Sequence, residues 1–289
     1  MDASARIEAV LNQALARSAG PECPPRLAEA MRYAVFPGGG RMRPKLCIAI
    51  AWACGDDEPA VSNSAAAAIE LLHCASLVHD DMPCFDDAET RRGKPAVHRA
   101  FGENLALLVG DALIVLAFET IAHSAARRPH RMGELLRIVA RAVGAPAGIV
   151  AGQAWEAERE IDLAHYHRAK TGSLFAGATE AGAAAAGAHA SDWVLLGELL
   201  GEAYQVADDI RDAYATEAEL GKPVGRDAAL GRPSAAASLG LDGAIERLSR
   251  LVDGAVAAVP DGRRAREIKA MIRQEAASFL PAGLAHRAL

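Results

Sequence analysis

Residues 64–78 read SAAAAIELLHCASLV, a run in which almost every side chain is apolar. Alanine and leucine are strong helix formers, and no Gly or Pro interrupts them. A helix that is greasy on most faces must be wrapped by other elements, so this stretch has to be central to the fold. The next residues, HDDMPCFDDAETRRGKP, set its end. Pro83 lacks the N–H that a helix interior needs, so a helix starting near Ala60 stops close to Asp80–Met82.

The helical theme recurs along the chain. Ile7, Val10, Leu11, Ala14 and Leu15 form an opening amphipathic stripe. A second helix runs through RLAEAMRYAV to FPGGG, and Pro44 suits the first turn of a third. The spacing predicts further helices roughly over 103–126, 131–144, 147–160, 165–187, 191–214, 241–258 and 262–279. Those near 60–82, 103–126, 165–187 and 191–214 are apolar on most faces and are expected to be buried. ELGKPVGRDAALGRPS reads as a loop. Few runs alternate with a period of two, and only 4% of residues are aromatic against 51% hydrophobic. The expectation is an all-α chain with one domain spanning residues 1–289.

A net charge of −6 does not suggest nucleic-acid binding. The five cysteines form no CxxC pair, which fits reduced thiols and a cytoplasmic location. Cys74 and Cys84 read as packing residues. The opening MDASARIEAV has no apolar signal region. The greasy stretch LALLVGDALIVLAF is interrupted by Asp111 and is shorter than the about 20 residues a membrane span takes, so no transmembrane segment is expected.

Two acidic clusters carry the chemistry. Asp80 and Asp81 fall at a helix C-terminus, with Asp86 just beyond. That end of a helix is already negative, so bare carboxylates there call for a cation. Clustered hard oxygens suit Mg²⁺, which commonly bridges to substrate phosphates. In YQVADDIRDA, Asp208 and Asp212 lie four apart and share a helical face, as do Asp209 and Asp212 three apart. Basic residues supply the complement. These are Arg41 and Arg43 at a glycine turn, Arg91, Arg92 and Lys94, then Lys170 beside Thr171, and Lys222 with Arg226. Arginine forks grip phosphate oxygens bidentately. Carboxylates, arginines and apolar helix faces together predict a substrate with a diphosphate head and a hydrocarbon tail. His73 lies seven residues before Asp80, on the same helical face. Gln153 reads as a buried, hydrogen-bonded polar group.

These motifs resemble those of the trans-polyprenyl diphosphate synthases. GGGRMRP, DDMPCFD followed by Arg91 and Arg92, GDAL, GQ, KTG, YQVADD and GKPVGRD occur in that family's order, over nearly the whole chain. The wording DDMPCFDDAETRRGKPAVHRAFGE is similar to bacterial geranylgeranyl diphosphate synthases of carotenoid and bacteriochlorophyll pathways. The resemblance implies a helical bundle around a central cavity, a homodimer, and Mg²⁺, about three ions per active site. It implies that Asp80, Asp81, Asp86, Asp208 and Asp212 hold metal, with Asp209 and Lys170 also counted as catalytic. Arg91, Lys170, Thr171, Gln205, Lys222 and Arg232 are expected on the substrate diphosphate. Isopentenyl diphosphate falls to Arg43, His73 and Arg92, and it attacks an allylic cation formed from an allylic diphosphate. The usual GGKRxRP is here GGGRMRP, with Gly40 in the lysine position, and Arg211 precedes Asp212 where an aliphatic residue is usual.

Product length is read from the helix ending at Asp80. Ser76 and Ala75 lie about one turn, ~6 Å, below the carboxylates. Farnesyl-producing bacterial relatives tend to carry a bulky aromatic at the Ala75 position. Alanine leaves the tunnel open there, which points to geranylgeranyl diphosphate. The alternatives are a farnesyl or longer-chain synthase and, outside catalysis, a partner subunit of a heteromeric prenyltransferase.

Overall fold

The computed structural model describes residues 3–214 and 235–279. Among them the chain is almost wholly helical. Thirteen helices are described: α1 (Ala3–Ser18), α2 (Pro25–Val35), α3 (Met42–Ala53), α4 (Pro59–Asp80), α5 (Val97–Phe101), α6 (Glu103–Ala125), α7 (Pro129–Val143), α8 (Ile149–Ala154), α9 (Leu163–His167), α10 (Ser173–Ala185), α11 (Val194–Tyr214), α12 (Ala235–Ala257) and α13 (Ala265–Ala277). One hairpin interrupts them, β1 (Thr90–Arg91) paired antiparallel with β2 (Lys94–Pro95). The helical periodicity contains no signal for this hairpin.

The chain divides into two compact units. One comprises residues up to Ala140 together with Glu180–Ala190. At its heart is α4, from which fourteen residues between Val61 and Val78 are buried. The α6 helix packs along α4, and α1, α2 and α3 cover other faces. Packing of α4 on α6 is close at His79, whose ring lies where a side chain at Gly110 would stand. His79 Nε2 also sits 3.3 Å from the Leu107 carbonyl. Glycine at position 110 thus lets the last turn of α4 dock on its neighbour.

The second unit comprises Arg141–Thr179 and the residues from Ser191 onward. In it α11 packs on α12, and α12 on α13. A five-residue π-helical turn, Arg168–Gly172, joins α9 to α10 and packs against both α8 and α11. Gly152 of α8 makes this possible, because any side chain there would strike the backbone of Lys170.

Three expectations need correction. The helix predicted over 147–160 is shorter: α8 ends at Ala154, a 3₁₀ turn carries the chain to Ala157, and Glu158 is extended. The continuous helix predicted from 165 is interrupted by the π turn. The third concerns α6, which is not buried on most faces: Leu107, Leu108 and Val115 are exposed, Val115 by 66%. Both α4 and α6 are long and apolar enough to cross a membrane by length and composition, beyond what the fourteen-residue greasy run suggested. The apolar part of α4 is 78% buried inside the protein and that of α6 44%. In α4, moreover, Glu70 is committed to a buried ion pair with Arg41.

Candidate active site

The acidic end of α4 is a closed loop. Asp86 N–H donates to the Asp80 carbonyl at 2.9 Å, Met82 N–H to His79 O at 3.1 Å, and Ala88 N–H to Asp81 O at 3.1 Å. The loop thus satisfies carbonyls that the helix end leaves without partners. It also folds Asp86 back onto Asp80. Both residues are partly exposed, whereas Asp81 is 2% exposed. Pro83, Cys84 and Phe85 form the exposed tip, so Cys84 is not a packing residue.

Arg91 answers Asp81. Its Nε lies 3.0 and 3.1 Å from the two carboxylate oxygens, and its Nη2 closes the fork on Oδ1. Burial disfavours the Arg91 charge, but Asp81, Asp80 and Asp86 together hold its pKa above the usual value. The cation that the negative helix end requires is therefore supplied in part by the chain itself. Asp80 and Asp86 remain partly exposed, and Asp81 is turned to Arg91.

The hairpin aims its cations in different directions. Its turn residues Arg92 and Gly93 have φ of 53° and 74°, as a tight two-residue hairpin turn demands. Arg91 points to Asp81. Arg92 lies over the glycine turn, its Nε 3.1 Å from where a Cβ on Gly39 would be. Lys94 donates to the Phe36 carbonyl at 2.7 Å and stands 4.4 Å above the Tyr33 ring. Tyr33 in turn donates to the Pro95 carbonyl at 2.9 Å.

Behind the glycine turn Arg41 is a buried anchor. It pairs with Glu70 at 2.5 Å and Glu8 at 2.9 Å, and donates to the Val35 carbonyl. Arg43, two residues on, lies 3.5 Å from His73. Burial, then the fields of Arg43, Arg92, Arg91 and Arg41, push the His73 pKa well below its ordinary value. A neutral imidazole among guanidiniums is a polar partner for a polyanion, not another charge. Gly40 has open space where a side chain would be. Ala75 is 1% exposed, while Ser76 is partly exposed and donates to the His73 carbonyl.

In the second unit a relay joins three expected residues. Thr171 Oγ1 donates to Gln205 Oε1 at 2.8 Å, and Gln205 Nε2 donates to Asp209 Oδ1 at 2.9 Å. Asp209 and Asp212 are buried, and Asp208 is partly exposed. Arg211 holds Asp208 at 2.8 Å. Lys170 donates to Glu156 at 2.5 Å, and the same carboxylate accepts from Tyr166 at 2.7 Å and from Gln153 at 3.1 Å. Gln153 is indeed hydrogen-bonded, though only half buried. Lys222, Arg226 and Arg232 lie outside the described residues.

Sequence reasoning missed Glu70, Glu156 and Tyr166. A lone carboxylate inside AAAAIELL was the signal for Glu70, since a buried charge demands a partner. For Glu156 no such signal existed, because a π turn brings Lys170 to it across fourteen residues.

In the first unit Asp80 and Asp86, and in the second Asp208, are partly exposed carboxylates, hard oxygen donors of the kind Mg²⁺ takes. Among the described residues no group of three or more His, Cys, Asp or Glu converges to encircle an ion. Mg²⁺ commonly takes one or two protein carboxylates and completes its sphere with water and phosphate.

The pattern of the polyprenyl synthetase family matches residues 24–267. The geranylgeranyl diphosphate synthase of Cereibacter sphaeroides is 52% identical over 282 residues, 98% of each chain. That of Rhodobacter capsulatus is 50% identical over 90% of each. Among solved structures, a geranyltransferase from Helicobacter pylori complexed with magnesium and isoprenyl diphosphate superposes with a TM-score of 0.80 at 28% identity, covering 94% of this chain and 95% of that one. Its helices, its acidic motifs and these relatives place the chain in the polyprenyl synthetase family.

Proposed function

We propose that the protein is a Mg²⁺-dependent prenyltransferase that condenses isopentenyl diphosphate with allylic diphosphates to give geranylgeranyl diphosphate. One observation carries the reading. Along α4, His73 stands at one level, with Arg43 of α3 and Arg92 of the hairpin turn beside it, and seven residues further on stands Asp80, onto whose carbonyl the following loop folds Asp86. At 1.5 Å per residue the two levels are about 10 Å apart. That spacing suits two diphosphate-bearing substrates held with their carbon ends together. The names of the two relatives that are 50–52% identical support the twenty-carbon product.

In this reading Asp80, Asp86 and Asp208, with Asp81 and Asp212, hold Mg²⁺ against the allylic diphosphate. Bound Mg²⁺ supplies electrostatic stabilisation of the departing diphosphate. Lys170, Thr171 and Gln205 present donors to it, and the Arg91 fork holds Asp81 in place. Arg43, His73 and Arg92 orient isopentenyl diphosphate, whose double bond attacks the allylic cation left when the C–O bond breaks. The released diphosphate takes the proton lost from the condensed product. We further infer one catalytic domain, a cytoplasmic location, a role in carotenoid-type isoprenoid synthesis, and a homodimer. The exposed apolar side chains of α6 support the last.

The test is incubation of the purified chain with Mg²⁺, labelled isopentenyl diphosphate and, separately, dimethylallyl, geranyl and farnesyl diphosphates. A twenty-carbon product that disappears with EDTA is expected. A product ending at fifteen carbons would retain the reaction and remove the assigned length, and no product with any primer would remove both.

A further inference from the structure

Arg211 sits among the aspartates of the second cluster, and three separate contacts hold its guanidinium. Nη2 donates to Asp208 Oδ1 at 2.8 Å. Nη1 donates to the Phe279 carbonyl, also at 2.8 Å. The guanidinium carbon stands 5.3 Å from the centre of the Tyr204 ring. Tyr204 is itself fixed, tilted against Phe175 at 5.4 Å and edge-on to Phe279 at 5.5 Å. Both phenylalanines are 1% exposed. A guanidinium keeps its proton at any pH a protein meets. To leave Asp208 it would have to abandon a backbone carbonyl and an aromatic face together. Arg211 is therefore a permanent positive charge fastened beside a carboxylate.

We propose that Arg211 is a positioning residue that opposes binding of Mg²⁺ alone at Asp208 and admits the ion in company with diphosphate. This rests on the reading of Asp208 as a metal ligand. A bare dication approaching Asp208 meets a carboxylate already neutralised, and a like charge behind it. A magnesium–diphosphate complex instead presents anionic oxygens, which a guanidinium attracts. The same cation works against the first ligand and for the second. In this way Arg211 makes this side of the site respond to substrate-borne metal and leaves it weakly responsive to free metal.

The experiment is titration calorimetry of the full chain with MgCl₂ alone and with MgCl₂ plus inorganic pyrophosphate. Arg211→Leu should bind Mg²⁺ alone about tenfold more tightly, and the gain from added pyrophosphate should shrink by about the same factor. Arg211→Lys keeps the charge and should keep the wild-type ratio. Asp208→Asn should weaken magnesium–pyrophosphate binding and abolish the tightening when combined with Arg211→Leu. If Asp208→Asn weakens binding but Arg211→Leu leaves the affinity for Mg²⁺ unchanged, the role of Arg211 is overturned and Asp208 remains a ligand. If Asp208→Asn changes neither titration, the ligand assignment is overturned and the role of Arg211 with it. Should Arg211→Leu fail to fold by circular dichroism, Arg211→Gln removes the charge with less loss of polarity and serves the same comparison.

Discussion

Individual residues decide two properties that can be measured separately. Ala75 is buried on α4 one turn below the acidic pair. Ala75→Tyr is expected to shorten the main product from twenty to fifteen carbons, read by chromatography. An unchanged product from a folded variant would mean that the chain end passes elsewhere. His73 makes a prediction about pH. Burial and the surrounding guanidiniums hold its pKa well below 6.5 in the fold. The unfolded chain therefore binds the proton first as pH falls. The stability from keeping His73 neutral is fully present above 6.5 and is lost below it, with a slope of at most about 1.4 kcal/mol per pH unit. Thermal melts should show wild type losing more stability than His73→Gln between pH 7 and pH 5. The aspartates themselves were legible in the sequence, because their spacing and the Pro83 break fix where a helix must stop. The partner of Asp81 was not, because a hairpin turn at Arg92 and Gly93 decides which arginine faces it.

At the level of elements, the Arg168–Gly172 turn depends on its neighbour. Gly152 lets α8 lie against the turn that carries Lys170 and Thr171. Gly152→Ala should cost about 1–3 kcal/mol by overpacking and raise KM for the allylic diphosphate more than for isopentenyl diphosphate. Gly133→Ala, where a side chain would meet nothing within 4 Å, is the control and should leave both KM values unchanged. Steady-state kinetics with a thermal melt checks both. Helix positions were readable from periodicity to within a few residues for α4, α6 and α11. The π turn was not, because its residues carry the same apolar spacing as a regular helix. Its packing on Gly152 and the Lys170–Glu156 pair are tertiary contacts that local spacing does not encode.

For the whole molecule, the pattern of apolar residues settled the class of fold but misjudged one surface. A run such as LALLVGDALIVLAF looks the same whether neighbours within the chain or a second copy cover it. Leu108 and Val115, seven residues apart on one face of α6, are 53% and 66% exposed. Paired Leu108→Glu and Val115→Glu substitutions should convert a dimer to monomers in sedimentation velocity, while helicity by circular dichroism is retained. A wild-type monomer would remove the proposed homodimer.

The loop after α4 is stitched at its base by Asp86 to Asp80 and by Ala88 to Asp81, while its tip of Pro83, Cys84 and Phe85 stands in solvent. The two carboxylates are thus neighbours through the backbone rather than through the residues between them. Those residues act as a spacer whose length is held by the stitches and whose chemistry is left open. Substitution at the tip, or even an added residue bulging outward there, should be absorbed locally. A residue added between Asp86 and Ala88 would slip the stitches out of step and carry one carboxylate away from the other.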